Sequence, residues 1–299
     1  MTTPMTPDAP TTYEGRLLPH QDEPVFDQGL HFDVDTITRR RVLQVLGFGA
    51  ISAGMFVIAG CTPGATAAPA ATSGAGSGVT PTGATGASCT VIPEETAGPY
   101  PGDGTNGPDV LTESGVVRQD ITSSFGSSTT KAAGLPLQIR LQIVDAAKSC
   151  APLAGAAVYL WHCDKDGGYS MYGQGIQNEN YLRGVQVAGA DGTVTFTSIF
   201  PGCYSGRWPH VHFEVYGSLA DATDASKIIA TSQIAMPADA CAEAYKTSGY
   251  EASVSNLTRV SLASDNVFGD DGGVHQIGTM SGTIGGSDSM VTLQVPVTK

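Results

Sequence analysis

Between residues 135 and 144 apolar and polar positions alternate: Leu135, Leu137, Ile139, Leu141 and Ile143 fall on one side, Gln138, Arg140 and Gln142 on the other. A period of two is the mark of a half-buried strand. Further apolar runs of strand length follow at 156–162, 193–199, 210–216, 227–236, 259–263 and 290–297, divided by turn residues such as Ala190-Asp191-Gly192. Helical character is confined to one short stretch, Ala238 to Thr247, with Pro237 near its start. Many short strands punctuated by Gly, Asp and Asn predict an all-β fold, a sandwich of mostly antiparallel strands with long loops and one short helix.

Before Cys89 the pattern changes. Thr38-Arg39-Arg40-Arg41-Val42-Leu43-Gln44 places paired arginines ahead of an uncharged apolar run from Val42 to Gly60, and Ile58-Ala59-Gly60-Cys61 closes it. Residues 1–60 read as a twin-arginine export signal ending in a lipoprotein cleavage box, with Cys61 the lipidated first residue of the mature protein. A plain transmembrane helix is the competing reading, since about 19 residues can cross a bilayer. The glycines within the run and the cysteine after small residues favour the signal. Residues 62–88 are Ala, Gly, Thr, Ser and Pro with one valine, neither charged nor aromatic. Such a segment behaves as a tether. The chain is therefore expected to comprise a signal (1–60), a lipidated cysteine with linker (61–88) and a folded catalytic unit (89–299). The expected location is the outer face of the cell membrane or the exterior.

The 28 acidic residues against 15 basic give a net charge of −13, which argues against nucleic acid as a partner and leaves a lipid on Cys61 as the one link to membrane. Cys89, Cys150, Cys163, Cys203 and Cys241 remain beyond that position. In an oxidising exterior they predict two disulfides and one free thiol, with the pairing left open by the sequence. Oligomeric state is equally open.

The chemistry gathers around Tyr204-Ser205-Gly206-Arg207-Trp208-Pro209-His210-Val211-His212. Two histidines at i and i+2 on a strand project to one face, so both imidazoles can reach one metal ion. Alone, that pair is weak. Upstream, Gly167 and Gly168 let the backbone turn before Tyr169, which adds a second phenol to that of Tyr204. Two phenols and two imidazoles suit ferric iron, a hard ion able to hold phenolate at neutral pH.

The run Leu160-Trp161-His162, then Gly168-Tyr169-Ser170, Tyr181-Leu182-Arg183-Gly184, Ile199-Phe200-Pro201-Gly202-Cys203-Tyr204 and Arg207-x-x-His210-x-His212 resembles the intradiol ring-cleavage dioxygenases. More narrowly, it resembles their exported, lipid-tethered branch found in actinobacteria. The resemblance covers about Cys89 to the C-terminus. It implies a non-haem Fe(III) cofactor, with Tyr169 and His210 as equatorial and Tyr204 and His212 as axial ligands. It further implies a catechol-type diol and O2 as substrates and a muconate-type diacid as product. By the same resemblance Tyr204 leaves as a base when the diol binds, and Arg207 stabilises charge on the substrate with Gln233 beside it. Gly98, Pro99 and Tyr100 line the pocket. Cys203 stands where relatives carry a bulky aromatic, which puts the local pocket wall in doubt.

Other polar residues receive plainer readings: His162 as a structural hydrogen bonder, Arg183 as a brace for the loop beside the site, and His275 as an exposed loop residue. A non-catalytic surface lipoprotein that captures catechols or ferric catechol chelates is the alternative. Mere capture does not require Arg207 and Gln233. A zinc hydrolase built on His210 and His212 lacks a third histidine or carboxylate at ligand spacing.

Overall fold

The alternation at 135–144 becomes strand β3 (Pro136–Asp145), the centre of the first sheet of the sandwich. This computed structural model describes residues 12–13, 16–17 and 89–299. The short strands β1 (Thr12–Tyr13) and β2 (Arg16–Leu17) pair antiparallel. The export signal, Cys61 and the linker lie outside the described residues. Following β3 come β4 (Ala151–Pro152), β5 (Ala157–Trp161), β6 (Arg183–Val187), β7 (Thr193–Ile199), β8 (His210–Tyr216), β9 (Ile228–Ala235), β10 (Thr279–Ser281) and β11 (Met290–Val297). Two helices, α1 (Ala238–Ala244) and α2 (Glu251–Leu257), sit between β9 and β10.

In one sheet, β3 pairs parallel with β11 and antiparallel with β7 and β4, while β10 flanks β11. The other sheet runs β6-β5-β8-β9, antiparallel throughout. Their inner faces share one core: Leu137, Ile139, Leu141 and Ile143 of β3 and Phe196 of β7 join Val158 and Leu160 of β5 and Val211, Phe213 and Val215 of β8. Each such side chain contributes about 1.5–3 kcal/mol by leaving water.

Strand β8 is buried at every position. Its odd residues enter the shared core, so its even residues, His210, His212, Glu214 and Tyr216, face the opposite side of the sheet. That side is covered as well, by a second cluster containing Val110, Leu111, Val116, Tyr159, Trp161 and Tyr169. A three-layer arrangement results, with the polar face of β8 roofed by loops from 97–125 and 163–182.

The all-β expectation is met, with differences of detail. Residues 259–263 form no strand; the segment ends in a single 3-10 turn at Leu262–Ser264, where Ser261 and Ser264 cap one another. Helix α2 was not foreseen because Glu-Ala-Ser-Val-Ser-Asn-Leu carries no apolar period and buries only Ser253. Strand β6 was also missed, since Arg183-Gly184 masks its pattern. The expectation of two disulfides is corrected: Cys89 bonds to Cys150, and Cys163, Cys203 and Cys241 are free, buried thiols. The last three are packed inside the fold, where burial rather than pairing satisfies them.

Glu214 is fully buried on the site face of β8 and accepts a 2.7 Å hydrogen bond from the Tyr216 hydroxyl. Burial, then the nearby carboxylate of Asp103, push its carboxyl up to about 8. A raised carboxyl binds its proton more tightly folded than unfolded. The stability it adds is therefore complete below its unfolded value and lost as pH rises through about 8. Denaturant unfolding at pH 5 and pH 8.5 should show the wild type losing stability relative to Glu214→Gln, by about 1.4 kcal/mol per pKa unit of the shift. Parallel pH profiles for the two proteins would contradict this.

Candidate metal centre

His210 Nε2 lies 3.0 Å from His212 Nε2, 3.1 Å from the Tyr204 hydroxyl and 3.3 Å from the Tyr169 hydroxyl. The two hydroxyls are 3.5 Å apart. Four donors sharing one small cation at about 2 Å stand roughly 3.3 Å from one another when tetrahedral. The four distances given are of that size. Tyr169, His210 and His212 are at most 4 % exposed.

Each donor reaches this point by a different device. For Tyr169, the Asp164 carboxylate accepts from the amides of Asp166 and Gly168 and closes the preceding turn. Gly167 there has φ +89° and a Cβ at that position would stand 2.9 Å from the Tyr204 Cβ, so glycine lets the two tyrosine loops touch. For Tyr204, helix α2 clamps the preceding residue: Ser253 Oγ accepts from the Cys203 amide at 2.9 Å, and Asn256 Nδ2 donates to the Cys203 carbonyl at 2.8 Å. Cys203 itself packs into the main core.

The two histidines are held differently. His210 Nδ1 donates to the Trp208 carbonyl at 2.5 Å, which leaves the Nε2 lone pair facing the cluster. His212 Nδ1 is buried without a protein partner. Its ring instead stacks on Trp161, across the β5–β8 ladder, at 4.9 Å and 7°. On its edge sits Gly98, with φ +72°, where a Cβ would come within 3.3 Å of His212 Cε1.

Arg207 Nη2 donates to Gln233 Oε1 at 2.7 Å, and Gln233 Nε2 donates to the Thr96 carbonyl at 3.0 Å, two residues before Gly98. Gln233 sits opposite His212 in the β8–β9 ladder. Pro99 accepts from Asn106, and the Tyr100 ring packs against Tyr169 and Tyr172 with centroids at 5.2 and 5.0 Å. The structure thus brings Gly98, Tyr100, Tyr169, Tyr204, Arg207, His210, His212 and Gln233 together. Arg183 is the brace expected of it: it bonds the carbonyls of Tyr100, Pro101 and Ser170, the Ser170 hydroxyl and the Tyr159 hydroxyl. His162 is buried between the Ser198 hydroxyl and the Cys163 carbonyl.

Asp265 was not foreseen. One of its oxygens accepts from Arg207 Nε at 3.0 Å and from the Trp208 amide at 2.6 Å, and the other from the amides of Val267 and Phe268. Nothing local in Ala263-Ser264-Asp265-Asn266 points to a partner so far back in the chain.

Burial, and next the Tyr204 phenol, push Tyr169 well above the ordinary phenol range; burial likewise raises Tyr204, although Arg207 pulls it down. Burial and then Arg207 hold His210 down to about 3, and burial followed by His210 lowers His212 further. All four donors are thus neutral by themselves, and ionising the phenols calls for a strongly charged cation among them. Among the described residues no group of three or more His, Cys, Asp or Glu side chains could hold a metal ion, so one here depends on the phenols. The donor set fits ferric iron.

Two phenols and two imidazoles gather at one buried point at the edge of the β-sandwich. The dioxygenase family model matches residues 106–212, which include Tyr169, Tyr204, Arg207, His210 and His212. The solved intradiol ring-cleavage dioxygenase from Tetranychus urticae superposes with a TM-score of 0.54 and 26 % identity over 70 % of this chain and 95 % of that one. A second solved dioxygenase gives a TM-score of 0.56 and 25 % identity over 71 % of this chain and 95 % of that one. Chlorocatechol 1,2-dioxygenase of Rhodococcus opacus is 38 % identical over 53 residues, a stretch spanning 21 % of that protein. Over residues 106–212 the chain matches the dioxygenase family model, and in sequence and fold it is similar to the intradiol ring-cleavage dioxygenases.

Because His212 Nδ1 lacks a hydrogen bond to set its ring, the Trp161 stack should carry that task. Trp161→Leu is expected to weaken iron binding by 10- to 100-fold in chelator competition, while Trp161→Phe stays within a few-fold of wild type. Equal losses in both variants, or none in the leucine variant, would contradict the assignment.

Proposed function

We propose that the protein is a ferric-iron-dependent dioxygenase that opens the ring of catechol-type diols between the two hydroxyl-bearing carbons, using O2 and giving muconate-type diacids. The observation that carries this reading is the convergence of Tyr169, Tyr204 and His212 on His210 Nε2, each within 3.0–3.3 Å of it. These four side chains would hold the iron. When bound, Fe(III) supplies a Lewis-acidic centre that favours the doubly deprotonated diol and makes its ring reactive toward O2.

The chain's own residues do the rest. Held as its phenolate by the bound iron, Tyr204 Oη would accept a proton from the arriving diol. Arg207 presents its guanidinium to the oxygen on which charge grows, already aimed by Asp265 and Gln233, so no reorganisation is needed at the moment of reaction. Gln233 couples that guanidinium to the segment leading to Gly98. Gly98, Pro99 and Tyr100 form the wall against which the ring rests, excluding water. The Arg39-Arg40 pair and Cys61 support export and a lipid anchor on the outer face, the location from which such an enzyme meets diols from outside the cell.

Iron-loaded protein should be red from tyrosinate-to-iron charge transfer, consume one O2 per catechol and release the diacid. Tyr169→Phe should remove most of the colour and at least 100-fold of the activity. A coloured protein inert toward every diol would favour the binding lipoprotein, and a colourless one with zinc would favour a hydrolase.

A further inference from the structure

Two guanidinium groups act electrostatically on His212, those of Arg207 and Arg183. Neither is available to a charged substrate as a bare cation. Arg183 is 1 % exposed and makes five hydrogen bonds, to Ser170 Oγ, Tyr159 Oη and the carbonyls of Tyr100, Pro101 and Ser170, matching the five N–H groups a guanidinium has to offer. Arg207 keeps 12 % of its side chain exposed, and its charge is met at 3.0 Å by an Asp265 carboxylate that is 0 % exposed. Asp265 in turn is fixed by three backbone amides, those of Trp208, Val267 and Phe268, so it cannot swing away to release the arginine.

From this geometry we infer that the site selects diols whose ring substituents are uncharged, and that Asp265 is the residue that determines it. The inference rests on the function proposed above. A carboxylate on the ring would leave water to face a neutral ion pair, with no net positive charge to offset its desolvation. The chain's net charge of −13 repels it further during approach. An uncharged diol has no such cost. It still finds the arginine's remaining N–H donors, which answer charge that appears only as the reaction proceeds. Asp265 thus separates two properties of Arg207: its hydrogen-bonding capacity is kept and its long-range charge is cancelled. Burial tends to raise Asp265 and weaken the pair, but Arg207 and the amide donors hold its carboxyl below the ordinary range.

The test compares two matched pairs on iron-loaded full-length protein. In turnover, wild type is expected to have a kcat/KM at least tenfold higher for catechol than for 3,4-dihydroxybenzoate. In calorimetry under nitrogen, it should bind benzamide better than benzoate. Asp265→Asn should shift both ratios about tenfold toward the carboxylate, and Asp265→Glu, which keeps the charge, should restore them. A wild type that prefers 3,4-dihydroxybenzoate and benzoate, or an Asp265→Asn protein with both ratios unmoved, overturns the inference. Should Asp265→Asn be recovered unfolded, the two wild-type ratios decide. If no diol is cleaved, the proposed activity fails on its own, and the benzamide–benzoate comparison still decides the question of charge selection.

Discussion

Strand β8 is buried on both faces, and this one constraint organises the molecule. Alternation sends Val211, Phe213 and Val215 into the sandwich core and forces His210, His212 and Glu214 to the other side, where polar groups are costly unless something answers them. The loops at 97–125 and 163–182 exist, in energetic terms, to roof that side. Once they do, each buried polar atom needs a partner. Tyr169, Tyr204, Trp208 and Gln233 are placed where the chain can supply one.

The supports of the site are drawn from distant parts of the chain. Helix α2 fixes Tyr204 through the backbone of Cys203. The loop after Leu262–Ser264 fixes Arg207 and the Trp208 peptide through Asp265, and that same peptide orients His210. One carboxylate therefore links the arginine to a histidine donor. Trp161 and Gly98 hold His212 by shape alone. Such over-determination is what keeps three donors within 3.3 Å of His210 Nε2 inside a low-dielectric layer.

Much of this was legible in the chain itself. The period of two at 135–144 and the fully apolar odd positions of 210–216 located β3 and β8 almost to the residue, because sheet periodicity is a local property. The His-x-His pair, the two tyrosines, Arg207 and Gln233 were found through spacing and resemblance, and the structure gathers them. What escaped notice depends on non-local pairing. Asp265 meets Arg207 across 58 positions. Helix α2 is specified by packing on 200–204 rather than by its own pattern. Cys163, Cys203 and Cys241 looked like disulfide partners because sequence counts sulfurs without showing that the fold buries them as thiols.

The four donors make sense together only around a shared ion. Crystals of the iron-loaded protein, measured at the iron absorption edge, should give one anomalous peak within about 2.3 Å of the Tyr169 and Tyr204 oxygens and the His210 and His212 Nε2 atoms. A peak bound by the imidazoles alone, or located elsewhere in the fold, would contradict it.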